Sequence, residues 1–321
     1  MVDSLEWRSP LEVHWLCDQE LIGSDMQTTI SGYPVVVHFP HDIAGRDADR
    51  MLQNPPQLIG QVPYQDWGIA RAALQVAIIM RLGFTAIVPT GSKSEMMKTE
   101  ILNSLDAWLD IAIDWLSVLT GTHTRNVGPQ FDLAFENRTM MFDISNCVPT
   151  FSPGFRPIPF PSSLPGKIAT KEAVRYCFER AASGDPVPLA WSLISEARAL
   201  HRARQYRRAV VDAGSAAEMA AYALVQLEFA SKTPPGVAKL LVESRGNLTL
   251  GTLVGYLKAT DYSLPANIFD DLVTIRNKVL HSNKGAGPVL PTESESVTAI
   301  EIATKIVKGA YPLAAGTPLL W

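Results

Sequence analysis

The spacing of apolar residues changes near residue 90. Before it they come in short runs bounded by Gly, Pro, Asn and Asp; after it they step by three and four. The first pattern predicts strands and the second helices. Residues 13–17 and 28–39 read as strands, the second carrying Pro34-Val35-Val36-Val37 behind the turn pair Ser31-Gly32. Residues 40–66 are rich in Asp, Pro, Gln and Gly and read mostly as loop. Residues 67–82 are ambiguous: Ala70 to Leu74 favours helix, Val76 to Met80 suits a buried strand, and periodicity does not separate the two. Residues 84–88 read as strand. A long helix is predicted from residue 92, with Ser92 as N-cap and Glu95 completing a capping box. Met97, Ile101, Leu105, Trp108, Ala112, Trp115 and Leu119 form its apolar face, and Gly121 ends it. The two Trp residues read as core or interface, with ligand stacking as the alternative. Residues 131–135 and 139–143 flank Glu136-Asn137-Arg138 as a hairpin.

Six prolines between residues 149 and 165 favour extended chain and exclude helix. They divide the chain into an N-terminal domain at 1–148, sensing or regulatory in role, a Pro-rich linker at 149–166, and a helical bundle at 167–321. Helices are predicted at 170–182, 190–203, 205–229, 249–259, 267–281 and 292–310. The first bundle helix turns Leu193, Ala197 and Leu200 to one side. The next turns Ala209, Val210, Ala213, Ala217, Ala220, Ala221, Leu224 and Leu227 inward, and its small residues 213–217 let another helix approach closely. The last uses Val297, Ile300, Ala303 (or Thr304) and Val307. The fold class expected is therefore α+β: a strand-rich N-terminal α+β domain followed by an all-α bundle.

Composition narrows the chemistry. The chain is 47% hydrophobic and 19% charged over 321 residues, enough for sizeable cores, and no apolar run is long enough to span a membrane. Met1 to Glu6 lacks a basic region followed by an apolar one, which predicts no secretory signal. Cys17, Cys147 and Cys177 are odd in number and widely spaced, as expected of reduced thiols in a cytoplasmic protein. His38 and His41 are close together but lack acidic or Cys partners at a metal-ligand spacing, so no metal and no cofactor is expected. Gly91-Ser92-Lys93-Ser94 has the look of a phosphate-loop fragment, but the spaced glycines before it are missing and a helix N-cap explains it. Net charge is −4, placed unevenly: residues 186–321 carry 14 Lys+Arg against 11 Asp+Glu. That balance argues against a protein that coats nucleic acid, while leaving room for an enzyme that grips one or two phosphates.

One stretch pairs a phosphate binder with a titratable group: Ile275-Arg276-Asn277-Lys278-Val279-Leu280-His281-Ser282-Asn283. It ends a helix whose apolar positions are Phe269, Leu272, Val273, Ile275, Val279 and Leu280. Arg276 and His281 either converge on one phosphate or are a surface Arg and a C-terminal His that complements the helix dipole. Arg198, Arg202, Arg204, Arg207 and Arg208 cluster where two bundle helices meet. They read either as a solvated helix end or as a basic rim for nucleic acid.

The order of features over roughly residues 188–308 resembles the HEPN superfamily. Three segments carry the resemblance: residues 203–218, with Tyr206, Ala209-Val210 and Glu218; Leu253 to Leu257 followed by Leu264-Pro265; and Arg276-Asn277 with His281. A strand-rich domain ahead of such a bundle is similar to abortive-infection proteins of the ApeA-like group. The resemblance implies a metal-independent endoribonuclease, a toxin or anti-phage effector, working as a homodimer whose two motif helices face each other. It implies Arg276, His281 and Asn277 as catalytic residues. Glu218 would orient Arg276 or serve as a structural bridge, and Arg204, Arg207, Arg208 and Lys278 would bind RNA. An antitoxin or a phage-derived trigger is the regulatory partner implied. One branch of the family has a Tyr two residues after the His; Asn283 stands there, so control through modification of that tyrosine is not expected. Residue types support the chemistry, since His titrates near pH 7 and Arg is a permanently charged fork. Without catalysis, the same features predict a dimerising HEPN-type module whose N-terminal domain recognises a protein or small ligand.

Overall fold

A computed structural model describes residues 2–42, 49–58, 67–89, 92–121, 142–143, 148–149, 167–232, 248–281 and 290–319. An antiparallel sheet leads, helices follow, and the class is α+β. Strands β1 (Val2–Asp18), β2 (Asp25–Ile30), β3 (Tyr33–His38), β4 (Arg50–Met51), β5 (Gly68–Arg71) and β6 (Val76–Pro89) form the sheet. β6 is its spine. One edge pairs with β1 along nearly its whole length; the other pairs with β3 near Phe84 and with β5 near Ile78.

Residues 28–39, expected as one strand, divide into the β2–β3 hairpin. Ser31 (φ 52°) and Gly32 (φ 78°) make a tight turn in the left-handed region, the geometry that matches strand twist. The ambiguity over residues 67–82 resolves to two strands around a single 3₁₀ turn at Ala72–Leu74. Gly68 makes that pairing possible: its φ is 133°, and a Cβ there would lie 2.0 Å from the carbonyl oxygen of Ile78.

Helix α1 (Ser92–Thr120) buries all seven residues of its expected stripe, and Gly121 (φ 62°) follows it. The side chains of the expected capping box lie outside the described residues, as do most of the 131–143 hairpin and linker residues 150–166. Phe142–Asp143 pair with Val148–Pro149 instead. Residues 167–169 run beside the end of β1, with Asp18 and Ala169 joined by a 2.9 Å backbone hydrogen bond. Helix α2 (Lys171–Ala182) then packs on α1 and β2. Phe178 sits between Trp15, Phe39 and Trp108, so sheet, α1 and α2 share one core. The Trp residues of α1 are core: Trp108 meets Phe84 and Phe178, and Trp115 donates to the carbonyl of Asp185 at 2.8 Å.

The remaining helices are α3 (Leu189–Arg202), α4 (Tyr206–Lys232), α5 (Leu250–Ala259), α6 (Ile275–His281) and α7 (Glu293–Ala310). A π-helical turn, Phe269–Thr274, leads into α6. α4 is the centre, packing against α3, α5, α6 and α7. Its alanines at 209, 213, 216, 217, 220 and 221 are fully buried, which lets four neighbours reach its backbone. Four positions expected inward are not: Leu227, Phe269, Leu280 and Val297 are exposed. On α4 the stripe ends on Leu224 and Val225, and on α7 it starts one residue early, at the buried Ser296. Among the described residues no helix is long and apolar enough to cross a membrane.

Candidate functional site

Arg276 is seated by α4. Its stem crosses Gly214, where a Cβ would lie 2.4 Å from Arg276 Cδ and 2.9 Å from its Nε. One helical turn further along α4, Glu218 Oε2 accepts a hydrogen bond from Arg276 Nη2 at 2.5 Å. The side chains are 16% and 32% exposed, so the ion pair is partly shielded but open on the Glu218 side. A charged, hydrogen-bonded pair in such surroundings fixes its own geometry far better than an exposed one. The π turn directly before α6 is a feature enriched near functional residues.

The other motif residues face outward. Asn277, Lys278 and His281 are exposed, and His281 is the last residue of α6. Arg276 is turned onto α4, and at about 100° per residue His281 projects roughly 140° away from it. No hydrogen bond or ion pair joins the two. Lys278 lies near the start of α7, where Glu295 caps the helix. Hydrogen bonds from the Thr292 N–H and hydroxyl hold that carboxyl below its usual range, with a smaller pull from Lys278. Asn283 lies outside the described residues.

Arg204, Arg207 and Arg208 are brought together. With Gln205, Tyr206, Leu290 and Pro291 they line a cleft of about 300 Å³ at the α3–α4 turn. Arg207 Nη2 also donates to the carbonyl of Val279 at 3.3 Å, satisfying one of the open carbonyls at the end of α6. That contact sets the basic cluster beside the His281 end of the motif helix. Arg208 Nη1 donates to Gln205 Oε1 at 3.0 Å. On α3, burial and neighbouring Arg202 pull the Arg198 guanidinium down to about 10.

Arg204 holds a left-handed backbone (φ 58°), and the turn closes through Arg204 N–H to His201 and Gln205 N–H to Leu200. Such a conformation costs a non-glycine residue about 1 kcal/mol. Arg204→Gly is therefore expected to raise thermal stability by up to about 1 kcal/mol, read in a thermal melt. An unchanged or lower melting temperature would show that the left-handed turn carries no strain at Arg204.

Sequence spacing missed four contributors. Gly214 was legible only as one of a run of small residues. Leu290 and Pro291 come from a segment remote from Tyr206. His201 lies behind Tyr206, ring to ring at 5.3 Å, with Nδ1 3.1 Å from Ser296 Oγ. Burial holds its imidazole below the ordinary value, against the opposing pull of Glu293. In the sheet, buried His38 bridges Asp25 Oδ1 and Thr85 Oγ1, both at 2.7 Å. That is a relay in outline, held within one sheet: Asp25 lies on β2, His38 on β3 and Thr85 on β6. Among the described residues no group of His, Cys, Asp or Glu is arranged to hold a metal ion. Comparison of the chain with protein-family models, with curated proteins and with solved structures finds no match.

Proposed function

We propose that the chain is a metal-independent endoribonuclease of HEPN type, acting in anti-phage defence or as a toxin. The observation that carries this reading is the seat of Arg276: a glycine floor and a carboxylate clamp on α4 hold one guanidinium in place on the motif helix. Rigid placement of a permanent positive charge is what a phosphoryl-transfer site needs as charge builds on the phosphate oxygens. His281 takes the proton of the ribose 2′-OH, whose oxygen attacks phosphorus. The bond from phosphorus to the 5′-oxygen breaks, and a second imidazole returns a proton to that leaving oxygen. The products are a 2′,3′-cyclic phosphate and a 5′-hydroxyl. The second imidazole is His281 of a second copy of the chain, since each copy carries one imidazole on the motif helix. The N-terminal sheet is where an antitoxin or a phage-derived trigger acts in this reading.

The test uses the full chain, a labelled RNA and size-exclusion mass. Cleavage is expected to survive EDTA, to run with a dimeric species, and to fall by about 10²-fold in His281→Gln and in Arg276→Lys. Cleavage that is lost in EDTA, or that both variants retain, sinks the assignment. One observation favours a non-catalytic, dimerising binding module instead: the Arg276 guanidinium is already engaged by Glu218, as a purely structural bridge would be. That reading predicts a dimer with no cleavage, and binding that follows mutations in the sheet.

A further inference from the structure

The cleft at the α3–α4 turn contains two kinds of chemistry in one small volume. Three arginines, Arg204, Arg207 and Arg208, line it together with Tyr206 and the apolar residues Leu290 and Pro291. Forked cations recognise a phosphate, and an aromatic face with an apolar wall recognises the flat surface of a base. The volume, about 300 Å³, is at the small end of ligand pockets and suits one nucleotide rather than a duplex.

The cleft is also braced. His201 supports the Tyr206 ring from behind and is itself held by Ser296. Arg207 is tied to Val279 and Arg208 to Gln205, which reduces the freedom each would lose on binding. Leu290 is 71% exposed, an apolar side chain left in water at the mouth of a basic cleft.

We propose that this cleft is a specificity subsite for one unpaired nucleotide, with the base against Tyr206, Leu290 and Pro291 and its phosphate on Arg204, Arg207 and Arg208. As a subsite of RNA cleavage it rests on the ribonuclease reading; as a nucleotide site it stands without it. Because Arg207 bonds the last turn of α6, the nucleotide held here lies next to the His281 end of the motif helix. The substrate class is single-stranded RNA or a loop, since only there can a base leave its stack and enter a cleft.

The experiment is calorimetric titration of the full chain with the four ribonucleoside 5′-monophosphates and with inorganic phosphate. At least one nucleotide is expected to bind at least tenfold more tightly than phosphate. Tyr206→Leu is expected to lower that nucleotide's affinity about tenfold and leave phosphate unchanged, whereas Tyr206→Phe retains it. Leu290→Glu, at an exposed position with no folding role, is expected to weaken the nucleotide as well. Equal binding of nucleotide and phosphate, indifference of nucleotide affinity to both Tyr206→Leu and Leu290→Glu, or tighter binding of a phosphotyrosine peptide than of any nucleotide overturns the proposal. Nucleotide binding that depends on Tyr206, in a chain that cuts no RNA, upholds the subsite and removes the ribonuclease reading. RNA cleavage whose KM and preferred nucleotide are untouched by Tyr206→Leu does the reverse.

Discussion

Gly214→Ala is expected, on the ribonuclease reading proposed above, to abolish RNA cleavage while leaving the chain folded. The added methyl would lie 2.4 Å from Cδ of Arg276, a distance no pair of carbons sustains, so the arginine must leave its seat. Once displaced, it loses the hydrogen bond to Glu218 and the orientation that bond supplies. Misplacing one charge-stabilising donor costs roughly 10²–10³ in rate. Stability moves little, because exchanging glycine for alanine inside a helix gains about 1 kcal/mol and offsets part of the broken pair. The readouts are a thermal melt and single-turnover cleavage of a labelled RNA. A variant that melts as expected and cleaves at the parental rate would show that the seat of Arg276 has no part in the reaction.

Phe178→Ala is expected to destabilise the sheet and the helices together, by about 3–5 kcal/mol. Phe178 is 1% exposed and its ring lies 4.9 Å from that of Trp108, 6.0 Å from Trp15 and 6.3 Å from Phe39. Those neighbours come from α1, β1 and the end of β3, while Phe178 comes from α2, beyond the proline-rich segment. Trimming the ring opens a cavity with walls from all four elements, which cannot all collapse into it. Denaturation followed by near-ultraviolet and far-ultraviolet signals is expected to give one coincident transition, shifted to lower denaturant. Two separate transitions, with the α3–α7 helices melting as in the parent, would show that the sheet and the bundle are thermodynamically independent.

The parts of the fold legible in sequence are those where a local period is long enough to overcome ambiguity. α1 offered seven inward positions over some six turns, and every one is buried. Leu227, Phe269, Leu280 and Val297 fit a helical period equally well and are exposed: Leu227 lies beyond the packed part of α4, and the other three sit beside buried neighbours but on the solvent side. Period alone carries no information about where a neighbour stops. Residues 67–82 were undecidable for a related reason: a buried strand and a buried helix are both continuously apolar. The choice depended on the backbone of Gly68 meeting Ile78, a contact between strands.

The site divides in the same way. The residue types, Arg276 with His281 at a helix end and arginines at the α3–α4 turn, are read directly from the sequence. The expectation that Glu218 meets Arg276 came from a pattern of residues, yet 58 positions separate them, and only packing of α6 on α4 brings the carboxylate to the guanidinium. The sequence by itself determined the strand-then-helix order, the helix phases and the candidate charges, all set by neighbours within a few residues. Tertiary structure alone decided that Gly214 is the floor under Arg276, that Arg207 closes the end of α6, and that Leu290 and Pro291 wall a cleft with Tyr206. These are contacts between segments far apart in the chain, selected by the fit of whole helices, and no local spacing encodes them.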